Sequence, residues 1–360
     1  MKVGWLRAAG PLLGLVCVWL LFAATAGTKF MSWPNQELML LQTAVVGTAA
    51  VGATWIIVSG GIDLSVGANI ALSSMVGAWL LRDGHGFVVA ASGTIATGAA
   101  VGWLIGALVV GQVLRALLAV AAAALLRFGA QAIGLGEPWA ASLGVIAGAA
   151  TWWGTRRLRW SLPLSPFIVT LGLWGALRGL AKGLGGQQPI YFPADPTLQQ
   201  VMQPGPLLPP GVWIMLATAA IAALLLKRSV FGRHTVALGS SRDTARLCGV
   251  DLGRTELSVY VLGCGCAGIA AVMQTSFLSM GDPMTGQGYE LKAIAAAVIG
   301  GASLAGGEGA IFGTLLGALI MTVVDNGCTK LELDNWVQEV VTGAIIVAAV
   351  ALDRWRQSRA

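Results

Sequence analysis

The chain has 360 residues, 56% of them hydrophobic and only 11% charged, with a mean hydropathy of +0.77. Soluble domains carry roughly a quarter charged residues, so this composition excludes a soluble domain and describes an integral membrane protein. The net charge of +6 therefore concerns membrane orientation, and no basic stripe with interleaved aromatics suggests nucleic acid.

Apolar spans lie near 9–27, 38–58, 64–81, 87–110, 114–134, 139–155, 166–184, 211–226, 256–278, 291–303, 309–325 and 336–352. The expected fold is a single all-α, polytopic bundle over residues 1–360, with about 10–12 transmembrane helices, some broken at Gly-Gly. Several spans are shorter than the roughly 20 residues of a perpendicular helix, so broken or tilted helices are expected. The first span follows Lys2 and Arg7 and resembles a signal peptide, but its length favours a retained helix. The pair within 114–155, interrupted by Arg115 and Arg127, reads as two spans or as one membrane hairpin.

Basic residues orient the bundle, because cytoplasmic loops are enriched in Lys and Arg. With the N-terminus inside, the loop at 155–165 (Arg156, Arg157, Arg159) and the loop at 227–255 both fall inside. So does the tail carrying Arg354, Arg356 and Arg359. The segment from Gln187 to Pro210, free of Lys and Arg, falls outside, as does the stretch around Asp282 and Glu290.

Two stretches stand out along this path. The first is VSGGIDLSVG at 58–67, in which Gly60 and Gly61 stop an apolar run before Asp63. Its pattern returns in VIGGASLAGG at 298–307, with Gly300 and Gly301, and Gly77 and Ala78 return as Gly317 and Ala318. This is either a direct repeat or chance self-similarity in a glycine-rich chain. Each glycine pair should end one helix at the cytoplasmic side before a new one begins, with Asp63 and Ser303 at equivalent N-cap positions. Broken helices can present backbone dipoles to a permeating solute. Asp63, Ser65 and Asn69 after the break, Gln42 and Thr43 before it, and Gln274 in a later apolar run are the candidate pathway residues. Asp63 can equally serve as a simple cap.

The second stretch is SSRDTARLCGV at 240–250 in the largest inside loop. It reads as a two-turn helix with Ser241 as N-cap, Asp243 at the positive end, Arg246 at the negative end and Gly249 as a left-handed stop. Arg242 and Arg246 share one face, and Ala245, Leu247 and Cys248 form a small apolar surface. A helix this short needs support, either from the membrane helices or from a cytoplasmic partner. The loop is thus a docking element or a topology-setting basic loop on the bilayer.

Other chemistry finds little footing. Five cysteines are scattered, and Cys264 and Cys266 would point about 200° apart on a helix, a poor chelate. With only His85 and His234 available, no metal site is expected. The 14 tryptophans read as interface anchors and packing. There is no G-x-x-x-x-G-K-[ST] phosphate loop, so ATP hydrolysis is not expected here.

SGGIDLSVGANIALSSMVGA (59–78), SPFIVTLGLWGALRG (165–179), FGRHTVALGSSRDTARLCGV (231–250) and GYELKAIAAAVIGGASLAGGEGAIFGTLLGALI (288–320) together resemble the permease subunit of ribose-type ABC importers. These importers move monosaccharides such as ribose, xylose or galactose. VDNGCTKLELDNWVQEVVTGAIIVAAVALDR (324–354) is a weaker match. The resemblance implies a permease homodimer or heterodimer in the lipid of a bacterial inner membrane, with both termini cytoplasmic. It implies an extracytoplasmic sugar-binding protein and a separate cytoplasmic ABC ATPase that holds ATP and Mg; no cofactor is expected in this chain. Residues 240–250, within the 227–255 loop, would dock on that ATPase. Residues 112–162 exceed the family pattern by about one helical hairpin, Lys292 stands where an acidic residue is common, and Asp-Thr-Ala at 243–245 replaces Glu-Ala-Ala.

The competing class is an ATPase-independent secondary transporter of a small polar solute. It would need a proton or sodium relay, and beyond Asp63 and Glu339 the sequence suggests no buried carboxylates. A membrane enzyme finds no nucleophile or metal constellation.

Overall fold

The computed structural model describes residues 3–155, 162–205 and 208–357, and side chains throughout these except at 3–9, 137–138 and 352–357. The basic residues Lys2, Arg156, Arg157 and Arg359 and the loop position Arg159 lie outside the described residues. The side chains of Arg7, Arg354 and Arg356 are likewise not described.

The chain forms α1 (Val3–Met31), α2 (Trp33–Val58), α3 (Val66–Arg82), α4 (Phe87–Val109), α5 (Val113–Ala132), α6 (Glu137–Gly154) and α7 (Pro166–Leu184). Then come β1 (Ile190–Tyr191), α8 (Pro196–Val201), α9 (Pro210–Arg228), α10 (Val230–Ser240) and α11 (Arg242–Leu247). The order closes with α12 (Leu252–Leu278), β2 (Met280–Gly281), α13 (Tyr289–Ile299), α14 (Ile311–Lys330) and α15 (Asn335–Gln357). Among the described residues, 8 helices are long and apolar enough to cross a membrane: α1, α2, α4, α5, α7, α9, α12 and α14. The protein is a polytopic all-α membrane bundle.

α2 is the axis of the bundle, touching α9, α12, α13 and α14. Its apolar window is 94% buried, against 11% for α1. Without a hydrophobic drive between helices in lipid, close approach rests on small residues. At Gly52 any side chain would collide with the carbonyl of Gly263 on antiparallel α12. Ala50, Ala53, Ala293, Ala296 and Ala318 form the comparable seam with α13 and α14.

Two helices begin inside the bundle. The Asn69 amide approaches the carbonyls of Gly98 and Cys264 at 3.5 and 3.4 Å, near the midpoints of α4 and α12. α3 therefore starts within about 5 Å of mid-depth. α2, level with α12 at Gly52, runs about 9 Å further before ending at Val58. The first Gly-Gly break is thus not a simple turn at the cytoplasmic end, as its sequence suggested, because the chain from Gly60 to Ser65 climbs back into the bundle. α13, with 11 residues, covers about 16 Å, half the roughly 30 Å hydrocarbon core. The preceding segment descends alongside α3, from Gly281 against Ser74 and Ala78 to Gly286 against Gly67. Asp282–Glu290 accordingly re-enters the bundle instead of remaining outside.

One end of the bundle is covered by the β1–β2 pair, with Ile190 opposite Gly281, and by α8, whose Leu198 carbonyl accepts from Ser276 at 2.5 Å. The other end carries α10 and α11. α5 and α6 pair antiparallel through Gly144 and Gly148 on Ala123 and Ala119, and Arg115 lies 4.1 Å over the Trp152 ring.

Candidate functional site

Both Gly-Gly breaks end their helices by the same hydrogen bonds. After α2, Gly60 N–H donates to Ile57 and Gly61 N–H to Ile56; after α13, Gly301 donates to Val298 and Ala302 to Ala297. The left-handed residue is Gly60 (φ 83°) in one and Gly301 (φ 95°) in the other, a conformation that glycine adopts at little cost. The breaks are therefore out of step by one residue at the helix ends. Gly300 instead packs directly on Gly313, and Gly61 lies under the Tyr260 hydroxyl.

The loops after the breaks return to step. Asp63 Oδ1 accepts from the backbone N–H and hydroxyl of Ser65, at 2.7 and 2.6 Å. Ser303 Oγ accepts from Ala305 N–H at 3.2 Å. Both are turns closed on the residue two positions ahead. This corrects the N-cap reading of Asp63: α3 begins at Val66, its N-cap is Ser65, and that residue makes no side-chain cap bond. Asp63 is 3% exposed, and its Oδ2 also accepts from Cys264 Sγ at 3.4 Å. The carboxylate thus ties the break to α12.

The remaining pathway positions divide. Asn69 bridges α3 to α4 and α12 and accepts from Ser73 at 3.2 Å, so its amide is a stitch between helices. Thr43 donates back to Met39 within its own helix at 2.7 Å. Gln42 is half-buried and Gln274 buried, and neither amide has a hydrogen-bond partner among the described residues. The register set by Gly52 on Gly263 brings these two glutamines to the same depth on adjacent helices.

Three buried ionisable residues escaped the sequence reading. Arg178 in α7, Glu256 in α12 and Glu290 in α13 are 8%, 3% and 9% exposed. The expectation that buried carboxylates beyond Asp63 and Glu339 are lacking is therefore wrong, and Glu339 itself is exposed. Arg178 was legible as an arginine inside an apolar span, a functional signal in itself. Glu256 and Glu290 stand at span edges, where sequence alone places them in water.

At the opposite end, α11 is capped by Ser241, whose Oγ accepts from Thr244 N–H at 3.3 Å. It is closed by Gly249 (φ 80°), with Val250 N–H donating to Ala245. Asp243, Arg246 and Leu247 are exposed, whereas Ala245 is buried against the bundle. Arg242 does not share an outer face with Arg246. Its guanidinium donates to both Glu256 carboxylate oxygens, at 2.9 and 2.6 Å, and this bond raises its pKa above the ordinary value. The supposed apolar docking surface is thus divided too, with Ala245 inward and Leu247 outward.

Just before α11, three backbones meet. Gly307 N–H donates to the Val58 carbonyl at 2.9 Å, and Gly239 of α10 lies against both groups. The end of α2, the lead into α11 and the second break therefore touch without intervening side chains.

The family profile described as "Branched-chain amino acid transport system / permease component" matches residues 109–350. The chain is 31% identical to the D-allose transport system permease protein of Escherichia coli (strain K12), over 93% of this chain and 87% of that protein. It is 31% identical to the ribose import permease protein of the same strain, over 98% and 95% of the two chains. The ribose import permease protein of Bacillus subtilis (strain 168) is also 31% identical, over 98% and 94%. No solved structure matches. The profile takes in α11 and the second break, and the permease relatives extend over nearly the whole chain: the chain belongs to the family of transport-system permease components.

Proposed function

We propose that this chain is the membrane-spanning subunit of an ATP-binding-cassette importer and forms the path for a monosaccharide delivered by an extracytoplasmic binding protein. The observation that carries the reading is the similarity to ribose and allose permeases along at least 93% of the chain. The geometry supports it in two places. Helix ends at mid-depth can present backbone dipoles to a passing solute, a device known from the broken helices of secondary transporters. α11, small and capped, offers Arg246 and Leu247 outward from the bundle and is the proposed contact for a separate ATPase, which would hold ATP and Mg. A second permease copy, or a related chain, completes the assembly. Both termini lie in the cytoplasm of a bacterium, and the membrane is the inner one.

The test is expression of this permease with candidate ATPase and binding-protein partners, followed by affinity purification and uptake assays in proteoliposomes. Co-purification of the ATPase and ATP-dependent uptake of D-ribose, D-allose or L-arabinose is the expected outcome. Sugar uptake driven by an ion gradient without any ATPase would overturn the reading in favour of a secondary transporter.

A further inference from the structure

Arg178 and Glu290 are buried charges to which no role has yet been given. Arg178 Nη1 donates to the carbonyls of Pro283 and Thr285, at 2.9 and 2.6 Å, and so holds the re-entrant segment before α13 against α7. Glu290 Oε1 accepts from Gly288 N–H at 3.3 Å. Each residue uses only part of its capacity: Arg178 Nη2 and Glu290 Oε2 are sealed in the interior without a partner among the described residues. Buried polar atoms in this state are uncommon and unfavourable, and they call for a specific reason.

Their placement supplies one. Glu290 is the second residue of α13, a helix too short to span, whose N-terminus lies at membrane depth. Its carboxylate presses on Gly67 at the start of α3, where any side chain would collide with it and with the Gly286 carbonyl. The Trp174 indole N–H, one turn before Arg178, points toward the same carboxylate without closing a hydrogen bond to Oε2. A free guanidinium N–H, a free carboxylate oxygen and an indole thus gather where two helix N-termini meet. One sugar hydroxyl can accept from the first and donate to the second while the indole covers a C–H face. The Glu290 carboxylate beside Arg178 opposes a second carboxylate there, so the pair suits a neutral hydroxyl better than an anionic ligand.

We propose that Arg178 Nη2 and Glu290 Oε2 form a hydroxyl-binding subsite for a neutral sugar in the translocation pathway, covered in this conformation by residues 282–288 and uncovered when that segment leaves Gly67. The proposal rests on the permease reading above.

The test uses the complete importer in proteoliposomes at saturating, sugar-loaded binding protein, with D-ribose, D-allose and L-arabinose as probes. Glu290→Gln and Arg178→Lys keep side-chain size and should each lower the maximal uptake rate at least about ten-fold. The concentration of loaded binding protein at half-saturation should stay within about two-fold, because docking is untouched. One monodeoxy derivative of the transported sugar should show the same loss with the wild-type chain and no further loss with Glu290→Gln. Wild-type rates in both variants would overturn the subsite. So would a loss accompanied by a lower melting temperature and spread equally over all deoxy derivatives, which would make the pair a packing device. Uptake of L-leucine that needs both residues would replace the sugar by an amino-acid zwitterion and also overturn it. Failure of the wild-type chain to move any of the three sugars would instead remove the permease reading on which the subsite rests.

Discussion

Arg242 and Glu256 form a two-point ion pair in which the two terminal guanidinium nitrogens meet the two carboxylate oxygens, at 2.9 and 2.6 Å. The pair is lopsided: the Arg242 side chain is 55% exposed and that of Glu256 only 4%. It fastens the first residue of α11 to the second turn of α12, so displacement of α11 pulls on a membrane helix.

The lopsidedness sets the direction of a stability experiment. Arg242→Ala strands a buried carboxylate and should cost about 1–3 kcal/mol. Glu256→Gln leaves a guanidinium that can reach water and should cost less than about half of that. Arg246→Glu, at an exposed position, should leave stability within about 0.5 kcal/mol. Thermal denaturation of the three variants in detergent checks the order. A ranking in which Arg246→Glu is the most damaging would place the supporting contact on the wrong arginine.

Asp63 accepts three hydrogen bonds, two from Ser65 and one from Cys264. Asp63→Asn keeps an oxygen acceptor for the turn and should retain most of the stability. Asp63→Ala loses the turn and leaves buried donors unmatched, at about 1–3 kcal/mol. Melting temperatures of the purified variants decide it, and equal loss in both would mean that the carboxylate charge matters more than the turn.

The glycine contact at the end of α10 should be intolerant of even one methyl group. A side chain at Gly239 would run into the Val58 carbonyl and the Gly307 N–H, both backbone groups that cannot swing aside. Gly239→Ala is expected to destabilise by about 1–3 kcal/mol or to reduce membrane abundance sharply. At Gly249 nothing lies within 4 Å, but φ is +80°. Gly249→Asn should therefore be mild and Gly249→Val harmful, because only the β-branched residue resists a left-handed backbone. Abundance and melting of the three variants test the contrast.

Orientation has a direct measurement. Thr197 and Ser240 are both exposed, on opposite ends of the bundle. Single cysteines at these positions, in a background without Cys17, Cys248, Cys264, Cys266 and Cys328, should react with impermeant reagents from outside and inside respectively. Labelling of both from the same side would reject the proposed topology.

Much of this architecture is local chemistry and could be read directly. Apolar length marks the helices, and Ser241 and Gly249 delimit α11 through hydrogen bonds and a backbone preference spanning only a few residues. The glycine pairs announce helix ends for the same reason: a left-handed residue after the last turn is a property of the immediate chain. The Asp63 assignment failed by a small margin, because a turn closing on Ser65 and a cap on the next helix use the same side chain and differ only in where that helix starts.

What the chain pattern could not convey is depth and partnership. Gly60–Ser65 and Asp282–Gly288 look like surface loops because they are rich in glycine and polar groups. They lie inside the bundle because Gly67, Gly281 and Gly286 let backbones approach closely enough to shelter them. Glu256 and Glu290 stand at the edges of apolar runs, where an isolated helix would leave them in water; Arg242 and the re-entrant segment bury them. Arg242 and Arg246 are equivalent on a helical wheel, and only the packing of α11 on α12 sets one against Glu256 and leaves the other without that partner. Sequence alone determined the membrane class and the helix ends, since those follow from composition and neighbouring residues. The tertiary structure decided which charges are buried and what they touch, since that depends on residues far apart in the chain.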